Sequence, residues 1–377
     1  MIFSIRRLHF EHVNHELIPG SRRGSLSKHY KVQHIITIMP LRCAVDFHGL
    51  GGMALALLRE VPNAEIVFCS DNAHPCRRVM DVLSPRAIKF TDVDTRTDAQ
   101  LQKIGELDGY VASPPCKDFA PGSKNKGSTT KRGRLSRHVL KVLRFNKPKA
   151  AVYENTVGLN RARHRQVVKK IKQVAEEVGY RVEEMVLDSA NFNVPQTRKR
   201  LHIVFLRRDA EVVEWAHVTP ANFVAPHVSA DTILAAPRPG TQPCKVPTHH
   251  RQRKLVLAGL KRARDVEGVN PAQVPVLIDV DCSFSHKSSK VNHFNTLTAS
   301  RGGSGGPYIS TRSERTSMAE LCSVQGYPPQ LMLKIKQRAQ LSNRQFGYAL
   351  GDAVTFPVAR AVIKAAFQAV GLLPNPG

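Results

Sequence analysis

Long apolar runs are missing from this chain of 377 residues. None approaches the ~18 residues that a membrane-spanning helix requires, so no membrane is expected as a partner. Acids are scarce as well. Thirty Asp and Glu face 56 Lys and Arg, a net charge of +26. That excess points to a polyanionic partner, nucleic acid ahead of an anionic membrane. The seven cysteines are an odd number and include no Cys-x-x-Cys pair. A disulfide framework and a cysteine-rich zinc site are therefore not expected, no metal is invoked, and reduced thiols fit an intracellular compartment. No internal repeat is present. What the chain does have is 42% hydrophobic residues, enough to bury one large domain and a smaller one.

Residues 1–38 mix arginines and five histidines with Glu11 and Glu16 and show no steady period. They read as a disordered N-terminal extension rather than an acid-poor transit peptide. Met39 then stands directly before the first core strand. From residue 43 short apolar runs alternate with helical segments, the pattern of a parallel sheet with crossover helices. Strands are expected at 43–47, 64–69, 110–112, 150–153 and 201–206. Helices are expected at 53–61, 135–145, 163–178, 318–325 and 353–370, the third ending at Gly179, where a C-terminal glycine is favoured. Residues 209–300 are rich in Pro, His and basic side chains and give no clean strand-helix repeat.

Three segments carry chemistry. Asp46-Phe47-His48-Gly49-Leu50-Gly51-Gly52 joins a strand to a helix, and glycines there let backbone approach a ligand. Asp71 ends the second strand, where a ribose-binding acid belongs. Asp92 follows a further candidate strand, the third in chain order and ahead of 110–112, and fits either an adenine contact or a helix cap. Ser113-Pro114-Pro115-Cys116 follows a buried strand, and the prolines fix the position of a thiol at the carboxyl edge of the sheet. From Phe119 to Tyr153 there are ten Lys and Arg and no acid. Lys124, Lys126, Lys131, Arg132 and Arg134 in its glycine- and serine-rich part suit contact with a phosphate backbone. Glu154 lies at the next strand's carboxyl edge. Arg198 and Arg200, two apart, are expected on one strand face.

In this order the segments resemble the DNA (cytosine-5) methyltransferase family. The likeness includes the glycine turn, the Pro-Pro-Cys loop, Glu154-Asn155 and Asn193-Val194-Pro195-Gln196-Thr197-Arg198-Lys199-Arg200. It continues through Asn295-Thr296-Leu297-Thr298, Met318-Ala319-Glu320-Leu321, Gln325-Gly326-Tyr327-Pro328 and Gly351-Asp352-Ala353-Val354. The resemblance implies an α/β fold, a doubly wound Rossmann-like methyltransferase sheet (residues 39–208 and 340–377) with a smaller irregular target-recognition domain (209–339). It implies a monomer acting on double-stranded DNA inside the cell. It also implies S-adenosylmethionine held by Phe47, Gly49, Gly51, Gly52, Asp71, Asp92 and Asp352, with Cys116, Glu154, Arg198 and Arg200 acting on a flipped-out cytosine. Asp352 stands where the family commonly has asparagine, which is expected to lower cofactor affinity. Three rivals share these residues in part: a tRNA methyltransferase of the same family, an amino-group methyltransferase with an aromatic in place of Cys116, and a non-catalytic DNA-binding relative.

Overall fold

The computed structural model describes residues 39–115, 119, 135–283 and 288–375. Cys116 and the five basic residues of the 124–134 loop lie outside the described residues, as does the 1–38 extension. Alternating burial builds the main sheet from β1 (Leu41–Asp46), β2 (Ala64–Ser70), β3 (Ile88–Phe90), β4 (Gly109–Ala112), β5 (Ala150–Thr156), β6 (Tyr180–Asp188) and β7 (Lys199–Arg207). Cys43, Val45, Val111, Val152 and Val204 project to one face, Ala44, Tyr110, Tyr153 and Ile203 to the other, as the two-residue period of a strand requires. The order is β3-β2-β1-β4-β5-β7-β6. The first five strands run parallel, and β7 lies antiparallel between β5 and β6.

Helices cover both faces. On one lie α1 (Gly52–Glu60) and α2 (His74–Leu83), on the other α3 (Asp98–Ile104), α4 (Ser136–Asn146) and α5 (Arg165–Glu177), which ends at Gly179 with φ +95. The expected strands and helices to residue 206 are all present with ends shifted by a few residues. β6, α2 and α3 were not anticipated.

The stretch after residue 208 is more regular than its composition suggested. It holds α6 (Trp215–Val218), α7 (His250–Asp265), β8 (Val276–Ile278), β9 (Ser289–Val291), α8 (Ala299–Gly303), β10 (Tyr308–Ile309) and β11 (Glu314–Arg315). The four strands form a small antiparallel sheet, β11-β10-β8-β9, and α7 packs on it through Val256, Leu260 and Ala263. Then come α9 (Met318–Val324), α10 (Pro329–Arg338), α11 (Asn343–Asp352) and α12 (Phe356–Ala369). Capping boxes at Ser317/Glu320 and Ser342/Gln345 start α9 and α11. Leu321, Met332, Leu350 and most of α12 join the core of the main sheet. Placing 209–339 apart as a recognition domain remains our proposal, and its last twenty residues pack with the larger core.

α8 and α11 touch through bare backbone. A Cβ on Gly302 would lie 1.9 Å from the Gly347 carbonyl oxygen, and one on Gly351 would lie 2.2 Å from that of Thr298. Only glycine permits such an approach. This contact ties the small-sheet region to α11, which forms one wall of the site.

Candidate active site

The carboxyl ends of the parallel strands open into a cavity of about 880 Å³, within the size range of sites for cofactors. One wall is the turn after β1. Phe47 (φ 57) and Gly49 (φ 56) both adopt left-handed backbone, and the Gly49 N–H donates to Asp71 Oδ2 at 2.8 Å. Oδ1 of Asp71 accepts from the Ala73 N–H at 2.8 Å. Burial raises the Asp71 carboxyl above its usual range, and these two N–H groups partly oppose that. Asp71 thus braces the turn while facing the cavity.

The glycines divide their roles. Gly49 lines the cavity, with space around a notional Cβ. Gly51 does not line it. It caps α1 at φ 84, and a Cβ there would meet Leu83 at 2.3 Å. Gly52 borders the cavity, yet a Cβ on it would strike Tyr327 Oη at 2.1 Å. We therefore assign Gly51 to helix packing rather than cofactor contact, and Gly52 chiefly so. Asp92 acts as a cap, its Oδ1 accepting from the Asp94 N–H at 3.0 Å, and it also lines the cavity.

Pro114 and Pro115 form the floor beside Glu154. Ser113 Oγ donates to Glu154 Oε2 at 2.6 Å, and Asn155 Nδ2 donates to the Pro114 carbonyl at 3.1 Å. Two side-chain bonds thus pin the proline turn to β5. Arg200 Nε lies 3.4 Å from Glu154 Oε1.

Arg198 differs from Arg200. Its Nη1 donates to the carbonyls of Leu297 (2.8 Å) and Gly351 (3.2 Å), and its Nη2 to that of Ala353 (2.7 Å). Gln196 extends the tie, donating to the Val324 carbonyl and accepting from the Leu297 N–H. Both arginines line the cavity, but Arg198, which precedes β7, also serves backbone on two segments, the loop at Leu297 and the end of α11.

The fourth wall is α11. Arg344, Tyr348 and Asp352 stand at i, i+4 and i+8 and line the cavity together. With them come Cys76 at the start of α2 and Asp94, which sits 2.6 Å from His138 Nε2. Burial, then Asp71 and Asp352, pushes the Cys76 thiol up to about 12. None of Arg344, Tyr348, Cys76 and Asp94 was singled out in the sequence. The i, i+4, i+8 spacing back from Asp352 was the available signal. Among the described residues five carboxylates, Asp71, Asp92, Asp94, Glu154 and Asp352, and three arginines, Arg198, Arg200 and Arg344, line the cavity. Such a lining suits a cationic ligand better than a polyphosphate.

A family profile described as C-5 cytosine-specific DNA methylase matches residues 46–368. The chain belongs to this family. Among relatives of the methylase, the type II methyltransferase M.NmeDI of Neisseria meningitidis serogroup C is 33% identical over 121 residues, 30% of this chain and 29% of that protein. The orphan methyltransferase M.SPRI of Bacillus phage SPR is 35% identical over 171 residues, 45% of this chain and 38% of that protein. The chain thus spans well under two thirds of the curated relatives it matches. In three dimensions the chain is similar to Dnmt2 of S. pombe (TM-score 0.60, 16% identity, 88% of this chain and 99% of that one). It is equally similar to EhMeth of Entamoeba histolytica (0.60, 15%, 88% and 99%). At these identities the likeness is one of fold. Among the described residues of the methylase no helix is long and apolar enough to cross a membrane, and no group of three side chains is arranged to hold a metal ion.

Two buried histidines make the stability of the protein pH-dependent. Burial lowers His48 and His202 to about 4 from an ordinary 6.5. Both are neutral in the fold, so stability is full above pH 6.5. It falls as the unfolded chain takes up protons between 6.5 and 4. Unfolding in urea should require about 2 kcal/mol less per histidine at pH 5 than at pH 7. His202→Gln should remove roughly half of that difference. Equal wild-type stability at both pH values would refute the assignment.

Proposed function

We propose that the protein transfers a methyl group from S-adenosylmethionine to carbon 5 of a cytosine in double-stranded DNA. The observation that carries this reading is one cavity shared by the glycine turn, Asp71, the Pro114-Pro115 floor and Glu154. The carboxylate-rich lining fits the cofactor's sulfonium and ammonium. Asp71 would take the ribose hydroxyls, Phe47 the adenine face, Asp92 the adenine amino group and Asp352 the methionine end. The cofactor, when bound, supplies an electrophilic methyl group.

The chain's own residues prepare the base. Carbon 5 of cytosine is a weak nucleophile. Attack of the Cys116 thiolate on carbon 6 forms a C–S bond and shifts the ring's electrons toward carbon 5. Glu154 would hydrogen-bond nitrogen 3 and the exocyclic amine as charge builds there. Arg200, held beside Glu154, would face the carbonyl oxygen. After methylation carbon 5 loses its proton, the carbon 5–carbon 6 double bond re-forms and Cys116 leaves. Arg198 we assign to positioning. The base must leave the duplex to reach such a cavity. We place the activity inside the cell, with DNA.

Cys116→Ser is the test. Bisulfite sequencing of plasmid from expressing cells should show a methylated motif with the parent and none with the variant, while the variant retains DNA binding. A variant with most of the parent's tritium transfer from labelled cofactor would remove Cys116 from the mechanism.

A further inference from the structure

Arg137 and His138 stand side by side in the first turn of α4, and both reach one acid of the cavity wall. His138 Nε2 lies 2.6 Å from Asp94 Oδ1, and Arg137 Nη2 lies 3.0 Å from the same oxygen. A ring nitrogen so close to a carboxylate oxygen carries its proton and donates it. Burial, with Arg137 and Arg96 nearby, lowers His138 below its ordinary 6.5 by more than Asp94 raises it. At pH 7 the imidazole is therefore neutral, a fixed N–H donor. α4 does not depend on this bond for its place. Val139, Val142 and Leu143 are buried against the main sheet, and Ser136 Oγ lies 3.0 Å from Tyr153 Oη on β5. What His138 and Arg137 hold is thus the short turn Val93–Thr95 that follows β3. Asp92 caps that turn through the Asp94 N–H, so the backbone that orients Asp92 is the backbone whose side chain α4 holds. Asp92 and Asp94 both line the cavity.

We propose that His138 is a positioning residue, which fixes Asp92 and Asp94 so that the cavity selects a purine with a 6-amino group. This rests on the cavity being the cofactor site, as read above. The selection is one of donors and acceptors. An ionised carboxylate accepts hydrogen bonds and cannot donate them, and the amino group of adenine donates. A 6-oxo purine in the same place would turn a carbonyl toward these oxygens and leave them without that donor, the kind of mismatch by which sites reject close analogues. Rejection requires acceptors that stand still. A carboxylate free to swing away from the wrong ring would forfeit little, so the group that holds it sets the discrimination.

Calorimetry on the full chain tests this, with S-adenosylhomocysteine and its 6-oxo analogue, in which inosine replaces adenosine, as the two probes. The parent should prefer the 6-amino ligand. His138→Leu should shrink that preference about tenfold, the worth of about one charge-assisted hydrogen bond. Its kcat at saturating cofactor should stay within about twofold of the parent's, the mark of lost binding rather than lost chemistry. His138→Gln, whose amide N–H can take the place of the ring N–H, should keep the preference. If His138→Leu does not fold, Arg137→Ala takes its place, since that side chain is 56% exposed. Its loss should shrink the preference about threefold. An unchanged preference in the variant overturns the proposal and leaves the cofactor reading standing. A preference lost equally in His138→Leu and His138→Gln also overturns it, because packing rather than the donor would then be responsible. A parent that binds neither ligand, or both alike, overturns the proposal together with the assignment of the adenine amino group to Asp92.

Discussion

Arg198→Met is expected to cost folding stability, whereas Arg200→Met is expected to cost rate. Arg198 is 3% exposed and satisfies carbonyls from Leu297, Gly351 and Ala353. Methionine fills similar space without a donor, leaving the buried carbonyls of Leu297 and Gly351 without this partner, at about 1–3 kcal/mol each, and that of Ala353 with only the 3.5 Å bond from Gln325. Even with partial relaxation the loss should exceed about 3 kcal/mol. Cofactor affinity should fall with it, because two of those carbonyls belong to the end of α11 and the residue after it. Arg200 has no comparable backbone duty, since its Nη1 donates only to the neighbouring Lys199 carbonyl. Its replacement should leave the melting temperature within a degree or two and lower kcat. Urea unfolding and single-turnover methylation of both variants decide the matter. The reverse pattern, Arg198→Met stable but slow, would return Arg198 to the chemistry.

Arg96→Met should be the more damaging change at neutral pH. Asp46 is fully buried at the end of β1 and is held by Arg96 through two bonds, 2.8 and 2.7 Å. Ser70 and Tyr110 also donate to it, and the guanidinium lies over the rings of Phe68 and Phe90. Burial alone would raise this carboxyl. The Arg96 charge and the three donors more than offset that and keep it below its usual range. Removing one partner of a buried pair costs about 3–5 kcal/mol. Without Arg96 burial prevails and the carboxyl rises, so the penalty is full above the raised folded value and is relieved as pH falls toward the unfolded one. The gap between parent and variant should therefore be wide at pH 7 and narrower near pH 4. The two histidines act alike in both proteins and cancel in that comparison. A gap that does not change with pH would show that the lost stability is packing rather than charge.

The strands and helices legible in the sequence were those buried on a regular period. Val45, Val111 and Val152 announced their strands. β6 escaped because its glutamates and arginine interrupt the apolar alternation, as an edge strand with Arg181–Glu183 and Lys172–Glu184 pairs can tolerate. α7 was hidden by five polar residues at its start, and β9, β10 and β11, two or three residues long, are too short to show any period. In the site, Asp71, Glu154 and Asp352 were legible because strand ends and family-like motifs place them. Arg198 lines the cavity with Arg200, as their spacing suggested, but spacing along a strand does not reveal that its guanidinium also binds the carbonyls of Leu297, Gly351 and Ala353. Arg344, Tyr348 and Cys76 reach the cavity from helices, and their place depends on how those helices pack.

Helix α12, with α1 and α2, covers the sheet face that carries Val45, Val111 and Val152, and it is made after all seven strands of the main sheet. At about 5–20 residues per second, the ribosome adds it on the order of ten to forty seconds after β5. Throughout that interval nascent strands carry an apolar face whose cover is not yet complete. Folding of the main sheet is therefore completed only after α12 has been synthesised. A premature stop anywhere before Phe356 would release a polypeptide with that face open, a substrate for chaperones and proteases rather than a smaller enzyme.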